Sequence, residues 1–340
     1  MDTANTTEAL TVRLLQDFKA QYPKKYTFLS DQSLGDGAYG IVFKAMDNDR
    51  NIEVAIKLYH DGLVPEGSER GWNLTSKTIN RQIAPTYTVE SFTSGDKEYK
   101  AIVSRFIPGK TLKAMFSWCD QQSAENKTRV TDDLAFTFLP SLLDVLELCH
   151  SLGFGHGDLH EGNVMVFPVD FEKRFSFSAV LIDFDNSSIR QDVFCSTENE
   201  KIDKDVRLFC NRLGPYILMD WEWKEETKEL FTKYSSIRDI KLAFEACLRF
   251  IEMHKNGSFS ENNVMQVLEN LAPYSMNNFS PKATVDALRA ISSKHGNEKE
   301  FEEYFVEFQN RLKNPENMTV EVTVIEDGHI RNELYKGFFE

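Results

Sequence analysis

Long apolar runs are missing from this chain: no stretch reaches the roughly 18 consecutive apolar residues of a membrane span, so none is expected. Cysteine is scarce and poorly spaced for pairing. The five residues Cys119, Cys149, Cys195, Cys210 and Cys247 are odd in number and contain no CxxC. That argues against a disulfide framework or a zinc clamp and for reduced thiols in a cytosol. Positive charge is in deficit, with 39 Lys and Arg against 53 Asp and Glu and a net charge of −14. Nucleic acid and anionic membranes attract basic surfaces, so neither is an expected partner, although a local basic groove is compatible with the count. The opening MDTANTTEAL is polar and acidic, with no basic stretch leading into an apolar one, so no secretory leader is expected. The expected location is the cytoplasm, or a host cytosol if the protein is delivered as an effector.

What is present is an ordinary globular composition in a chain of 340 residues, too long for most single cores, so two lobes are expected. Residues 7–22 set Leu10, Leu14, Leu15 and Phe18 on one helical face. The pattern then turns to short strands rich in β-branched and aromatic residues: YTFLSDQSL, IVFKAMD, EVAIKLYH, PTYTVESF and YKAIVSRF, with one helix near 68–80. From Pro108 two apolar helices follow, then the polar run HGDLHEGN, two more strands (VMVFPV and SAVLIDFD), and an almost wholly helical remainder beyond residue 203. Ser260 and the Ser280-Pro281 pair read as helix starts. The last stretch alternates about Asp327-Gly328, a hairpin signal. The expected fold class is α+β: an antiparallel β lobe, a larger helical lobe and a C-terminal hairpin.

Four segments carry chemistry. In LGDGAYGIVFKA, Gly35, Gly37 and Gly40 would let backbone N–H groups approach phosphates, although a plain glycine-rich hairpin has the same pattern. A strand follows where a dinucleotide motif opens a helix, and no Lys-Ser/Thr follows as in a Walker loop. In VAIK, Lys57 ends an apolar strand 17 residues after Gly40. It is either a snorkelling surface lysine or a phosphate-binding one. In HGDLHEGN, Asp158 and Asn163 lie five apart after a long apolar helix. His156 and His160 have a spacing that ligates zinc from a helix, but Gly155, Gly157 and Gly162 argue for a loop. In LIDFD, Asp183 and Asp185 end an apolar strand, where a carboxylate must be solvated, paired or bound to a hard cation such as Mg²⁺.

Glycine flap, strand lysine, Asp-x4-Asn loop and strand-end aspartate occur in one order, and in this the chain resembles the protein-kinase-like superfamily from about Leu34 to Leu213. The resemblance implies a bilobal fold with an N-terminal helical extension at 1–23, a small lobe at 24–107, a large lobe at 108–312 and a hairpin extension at 313–340. It implies ATP and Mg²⁺ as cofactors. Gly35, Asp36, Gly37, Gly40, Val42 and Ala55 would line the nucleotide, with Lys57 on its α- and β-phosphates. Ser104 would stand at the gatekeeper position, with Arg105, Phe106 and Ile107 at the adenine hinge. Asp158 would accept the acceptor's proton; Asn163 and Asp183 would ligate Mg²⁺, and Asp185 would bind or orient a second ion. Asp205 in KDVRLF resembles the aspartate that braces the catalytic loop. The glutamate that pairs with the strand lysine is either Glu66 or Glu69, and Glu69 is preferred for lying nearer the helix start.

The departures concern the acceptor. The loop reads His-Gly-Asp where regulated protein kinases have His-Arg-Asp, so a phosphorylated activation loop has no cation to dock on there. His160 stands where Ser/Thr kinases carry a phosphate-touching lysine. Only 22 positions separate Asp183 from Asp205, with no Ala-Pro-Glu between them. HGDLHxGN with DFD is similar to aminoglycoside and choline phosphotransferases and to atypical bacterial kinases. A protein Ser/Thr kinase is the preferred expectation. A small-molecule phosphotransferase, an ATP-binding scaffold and an AMP transferase are the alternatives.

Overall fold

The computed structural model describes residues 3–37, 39–60, 68–77, 80–171, 174–186, 188–189, 199–275 and 279–313. The expected C-terminal hairpin and Glu66 lie outside the described residues. The chain opens with α1 (Thr3–Gln21), followed by β1 (Tyr26–Phe28), β2 (Gly35–Asp36), β3 (Gly40–Asp47), β4 (Ile52–Tyr59), α2 (Ser68–Lys77), β5 (Thr86–Ser94) and β6 (Lys97–Arg105). These strands form one antiparallel sheet in the order β1-β3-β4-β6-β5, with β2 folded onto β3. The side-chain period of a strand gives this sheet two chemically different faces. Val54, Ile56 and Leu58 of β4 join Phe43, Ala101 and Val103 in an apolar face closed by Leu14, Leu15 and Phe18 of α1. The residues between them, Ala55 and Lys57, turn to the opposite face with Val42 and Ser104. They are joined there by the cross-strand pairs Val42–Lys57 and Ala55–Ser104.

The second lobe begins with β7 (Lys110–Thr111), α3 (Leu112–Cys119), α4 (Ala124–Asp133) and α5 (Leu139–Ser151). Thr111 and Ser123 cap α3 and α4 by accepting the N–H groups of Ala114 and Asn126. A wider π-helical turn at Leu134–Phe138 joins α4 to α5. The resulting helix, Ala124–Ser151, is long and apolar enough to cross a bilayer, yet its side chains Leu134, Phe138, Leu142 and Leu146 are fully buried in the lobe's main core. Then come β8 (Phe154–Gly155), the paired β9 (Val164–Phe171) and β10 (Arg174–Leu181), and β11 (Ser188–Ile189), which returns to β8. α6 (Asn199–Leu208) passes so close behind β8 that a Cβ on Gly155 would stand 2.6 Å from the Lys201 carbonyl carbon.

The remainder is helical, as its pattern predicts: α7 (Gly214–Ile217), α8 (Lys224–Thr227), α9 (Leu230–Lys233), α10 (Ile237–Lys255), α11 (Glu261–Leu271), α12 (Lys282–Lys294) and α13 (Glu298–Lys313). Ser260 is the N-cap of α11. Before α12 the cap is Pro281, one residue later than the sequence suggests. The Ser280 hydroxyl accepts the N–H of Lys282 from one residue further out. The architecture is the expected bilobal α+β fold, with the chemistry-bearing segments facing one another where the lobes meet.

Candidate functional site

Lys57 projects from the cleft face of β4 and reaches across the lobes. Its Nζ donates to both carboxylate oxygens of Asp183 at 2.8 Å and to Oδ2 of Asp185 at 2.6 Å. Burial disfavours its charge, but the two carboxylates outweigh that and hold its pKa above the ordinary lysine value. Asp183 sits just beyond β10 in the left-handed region, with φ 62°, a conformation uncommon for non-glycine residues and most accessible to Asn and Asp. Burial and the charge of Asp185 push its carboxyl up to about 6, against the pull of Lys57. For Asp185 burial acts in the same direction, but the charge of Lys57 and the hydrogen bonds it accepts prevail and hold it below the usual carboxylate range.

Asp185 has further partners that the sequence does not announce. The Tyr59 hydroxyl donates to its Oδ2 at 2.6 Å, and Nε1 of Trp72, on α2, donates to its Oδ1 at 3.1 Å. Three protein donors, Lys57, Tyr59 and Trp72, therefore meet this carboxylate. Among the described residues, Glu69 is not brought to Lys57. Glu69 is exposed in the first turn of α2, and the acids on Lys57 are Asp183 and Asp185. The physical reason is register: the residue α2 turns into the cleft is Trp72, which is buried against Tyr59 and Ile102.

The catalytic-loop candidates lie on the opposite wall, and their backbone is fixed from behind. Asp205, fully buried on α6, accepts the N–H of His156 at 2.6 Å and of Gly157 at 2.8 Å, the bracing its position in the sequence implies. His156 is a structural residue. Its Nε2 pairs with the carbonyl of Ile182 at 2.8 Å, its Nδ1 accepts the N–H of Asp158 at 3.3 Å, and its ring packs on Phe184. Asp158 keeps its carboxylate part-exposed to the cleft. Asn163 is buried, with its amide Nδ2 donating to the carbonyl of Asp158 at 3.0 Å, and its amide oxygen is an acceptor by chemistry. The Asn163 carbonyl also accepts the N–H of Ile182 at 3.1 Å, tying the loop to the residue before Asp183. An amide oxygen and a carboxylate from adjoining backbones are hard donors that fit Mg²⁺. His160 accepts the N–H of Gly162 on Nδ1, so its Nε2 carries the proton and faces Asp158 Oδ2 at 3.8 Å. Lys204 of α6 donates to the carbonyl of Gly157 and brings a cation behind the loop that the sequence pattern did not mark.

The glycine flap divides in two. A Cβ on Gly40 would stand 2.3 Å from the carbonyl oxygen of Leu58, so the approach of β3 to β4 by itself demands this glycine. Gly35 has nothing within 4 Å, and Gly37 meets only the Gly40 carbonyl at 3.6 Å. Asp36 is bonded to Nε2 of His60 at 2.9 Å, which tethers the flap to the end of β4. At the hinge, the Ser104 hydroxyl contacts the carbonyl of Ala55 at 3.5 Å and the N–H of Arg105 is taken by Pro85. Lys44 lies 4.2 Å from the centre of the Phe106 ring, and Ile107 is buried with its carbonyl turned to the N–H of Gly109.

A β lobe over a helical lobe, with a lysine, two aspartates and an asparagine converging from segments far apart in sequence, defines the phosphotransferase class of fold and site. The protein kinase domain family matches residues 28–197, half of the chain, and the chain belongs to that family. It is a kinase phosphotransferase, for which ATP is the implied phosphate donor.

Proposed function

We propose that the protein transfers the γ-phosphate of ATP to a hydroxyl on a protein Ser or Thr, with Mg²⁺ as the accompanying cation. The observation that carries this reading is the ion pair of Lys57 with Asp183, across 126 residues of sequence, beside a loop that holds Asp158 and Asn163. Lys57 takes the α- and β-phosphates, and Val42, Ala55, Ser104 and the Arg105–Ile107 hinge enclose the base. Asp158 orients the acceptor hydroxyl and takes its proton. Asn163 and Asp183 would hold Mg²⁺, which when bound neutralises charge on the transferred phosphate. His160, with its proton on Nε2, faces the space between Asp158 and that phosphate. The bond to the leaving ADP is loose in such reactions, so positioning and charge carry most of the rate. The free buried thiols of Cys119, Cys149, Cys210 and Cys247 suit a reducing cytosol.

A second reading, phosphorylation of a small hydroxyl compound, is favoured by the 22 positions from Asp183 to Asp205, a short span for a peptide platform. The full-length protein with Mg²⁺ and γ-labelled ATP, offered cell lysate beside a panel of small hydroxyl and amine compounds, decides between them by where the label goes. The mass shift of the product separates phosphate from AMP transfer. Transfer retained in both the Asp158→Ala and Asp183→Ala variants would overturn the site.

A further inference from the structure

The site as described leaves one carboxylate without a role: Asp185, only 4% exposed and saturated by protein donors. We propose that Asp185 is the positioning residue for Lys57, and that Tyr59 and Trp72 hold it there, so that α2 reaches the lysine through an indole N–H and not through an acid of its own. The inference rests on the phosphotransferase reading of the site. A phosphate-binding lysine needs a fixed countercharge, because four rotatable bonds otherwise spread its Nζ over several ångströms. Asp183 cannot fill that role throughout, since its carboxylate is also the hard donor beside Asn163 and is partly open to the cleft.

Asp185 is closed and directional. Its Oδ2 accepts both Lys57 Nζ and the Tyr59 hydroxyl, at 2.6 Å each, and its Oδ1 accepts Trp72 Nε1 at 3.1 Å. Burial and the facing carboxylate keep the Tyr59 hydroxyl protonated, so it stays a donor. Trp72, Tyr59 and Ile102 form a separate apolar cluster that fixes the indole against the sheet. The link thus runs from α2 through Trp72 and Asp185 to Lys57, while Glu69, one turn earlier on the helix, points to solvent.

The test measures binding of a non-hydrolysable ATP analogue by calorimetry, at saturating Mg²⁺ and as a Mg²⁺ titration, with thermal melts of every variant. Removing one charged hydrogen-bond partner of Lys57 by Asp185→Asn should weaken nucleotide binding about tenfold and leave the half-saturating Mg²⁺ concentration unchanged. Tyr59→Phe and Trp72→Phe, which keep the apolar frame, should each cost about two- to fivefold in the wild-type background. Trp72→Phe should add almost nothing once Asp185 is Asn, because both act on one carboxylate. A rise in half-saturating Mg²⁺ in Asp185→Asn would make Asp185 a metal ligand and overturn the proposal. So would additive losses, or variants that bind like wild type. A wild-type protein that binds no nucleotide would instead remove the phosphotransferase reading itself.

Discussion

The loop around Asp158 and the segment around Asp183 face the same cleft but are held by opposite means. The loop is anchored from behind, backbone to carboxylate, by the buried Asp205, while His156 ties it to the carbonyl of Ile182. Those bonds lie wholly within the large lobe and do not depend on the small one. The segment is anchored from the front, side chain to side chain, by Lys57, Tyr59 and Trp72 of the small lobe. Asp158, the proposed proton acceptor, therefore sits on a loop fixed from within its own lobe, whereas Asp183 and Asp185 are set by how the lobes meet. Preorganisation of the first kind is independent of ligand, and the second kind responds to it.

Substitutions can break this comparison on either side. The largest effect belongs to Asp158→Ala: phosphate transfer should fall by about 10²–10⁴-fold with a nearly unchanged melting temperature, since the carboxylate is part-exposed and meets His160 only at 3.8 Å. Next is Asp205→Ala, which strands the buried N–H groups of His156 and Gly157. It should cost about 2–4 kcal/mol of stability by denaturant titration and reduce transfer as well. If the loop were held equally by the segment, activity would survive that loss.

The flap offers a sharper pair. Gly40→Ala drives a methyl into the Leu58 carbonyl and should destabilise by about 1–3 kcal/mol, while Gly35→Ala should change the melting temperature little and act on nucleotide binding alone. The smallest effect is a pH dependence remote from the cleft. His254 is stacked on His295 and Phe259 with a buried Nε2 that has no partner among the described residues, and burial, with the His295 charge adding to it, pulls its pKa down to about 4 from 6.5. The unfolded chain then binds this proton more readily than the folded one. Stability should be level above pH 6.5, fall between about 6.5 and 4, and level off below. Discounted for partial exposure, the loss is about 1–2 kcal/mol, and His254→Gln should flatten the curve.

Much of this was legible in the residues. The strands of the small lobe announce themselves by β-branched alternation, and the long helix ending at Ser151 by its apolar face. Asp158, Asn163, Asp183 and Lys57 stand in an order that leaves little freedom for their arrangement. Asp205 was readable too, through the resemblance of KDVRLF to the family's loop-bracing aspartate. Other features could not be read. Glu69 is the nearest acid to the start of α2, but which face of a ten-residue helix turns inward depends on how Trp72 packs, and no local pattern encodes that. Gly40 resembles Gly35 in a string of letters, and only the approach of the Leu58 carbonyl separates them. Tyr59 reads as the apolar end of a strand, and its hydroxyl acquires a role only because Asp185 arrives opposite.

The sequence by itself determined the class of fold, the order of the chemical groups and the two-faced character of the small-lobe sheet. Those follow from hydrophobic period and residue type, which are local. The tertiary structure alone decided which acids hold Lys57 and which glycine is structural. Each of those depends on a contact between segments far apart in sequence, and in a buried cleft the identity of a partner is fixed by the few donors and acceptors that packing brings within hydrogen-bond distance.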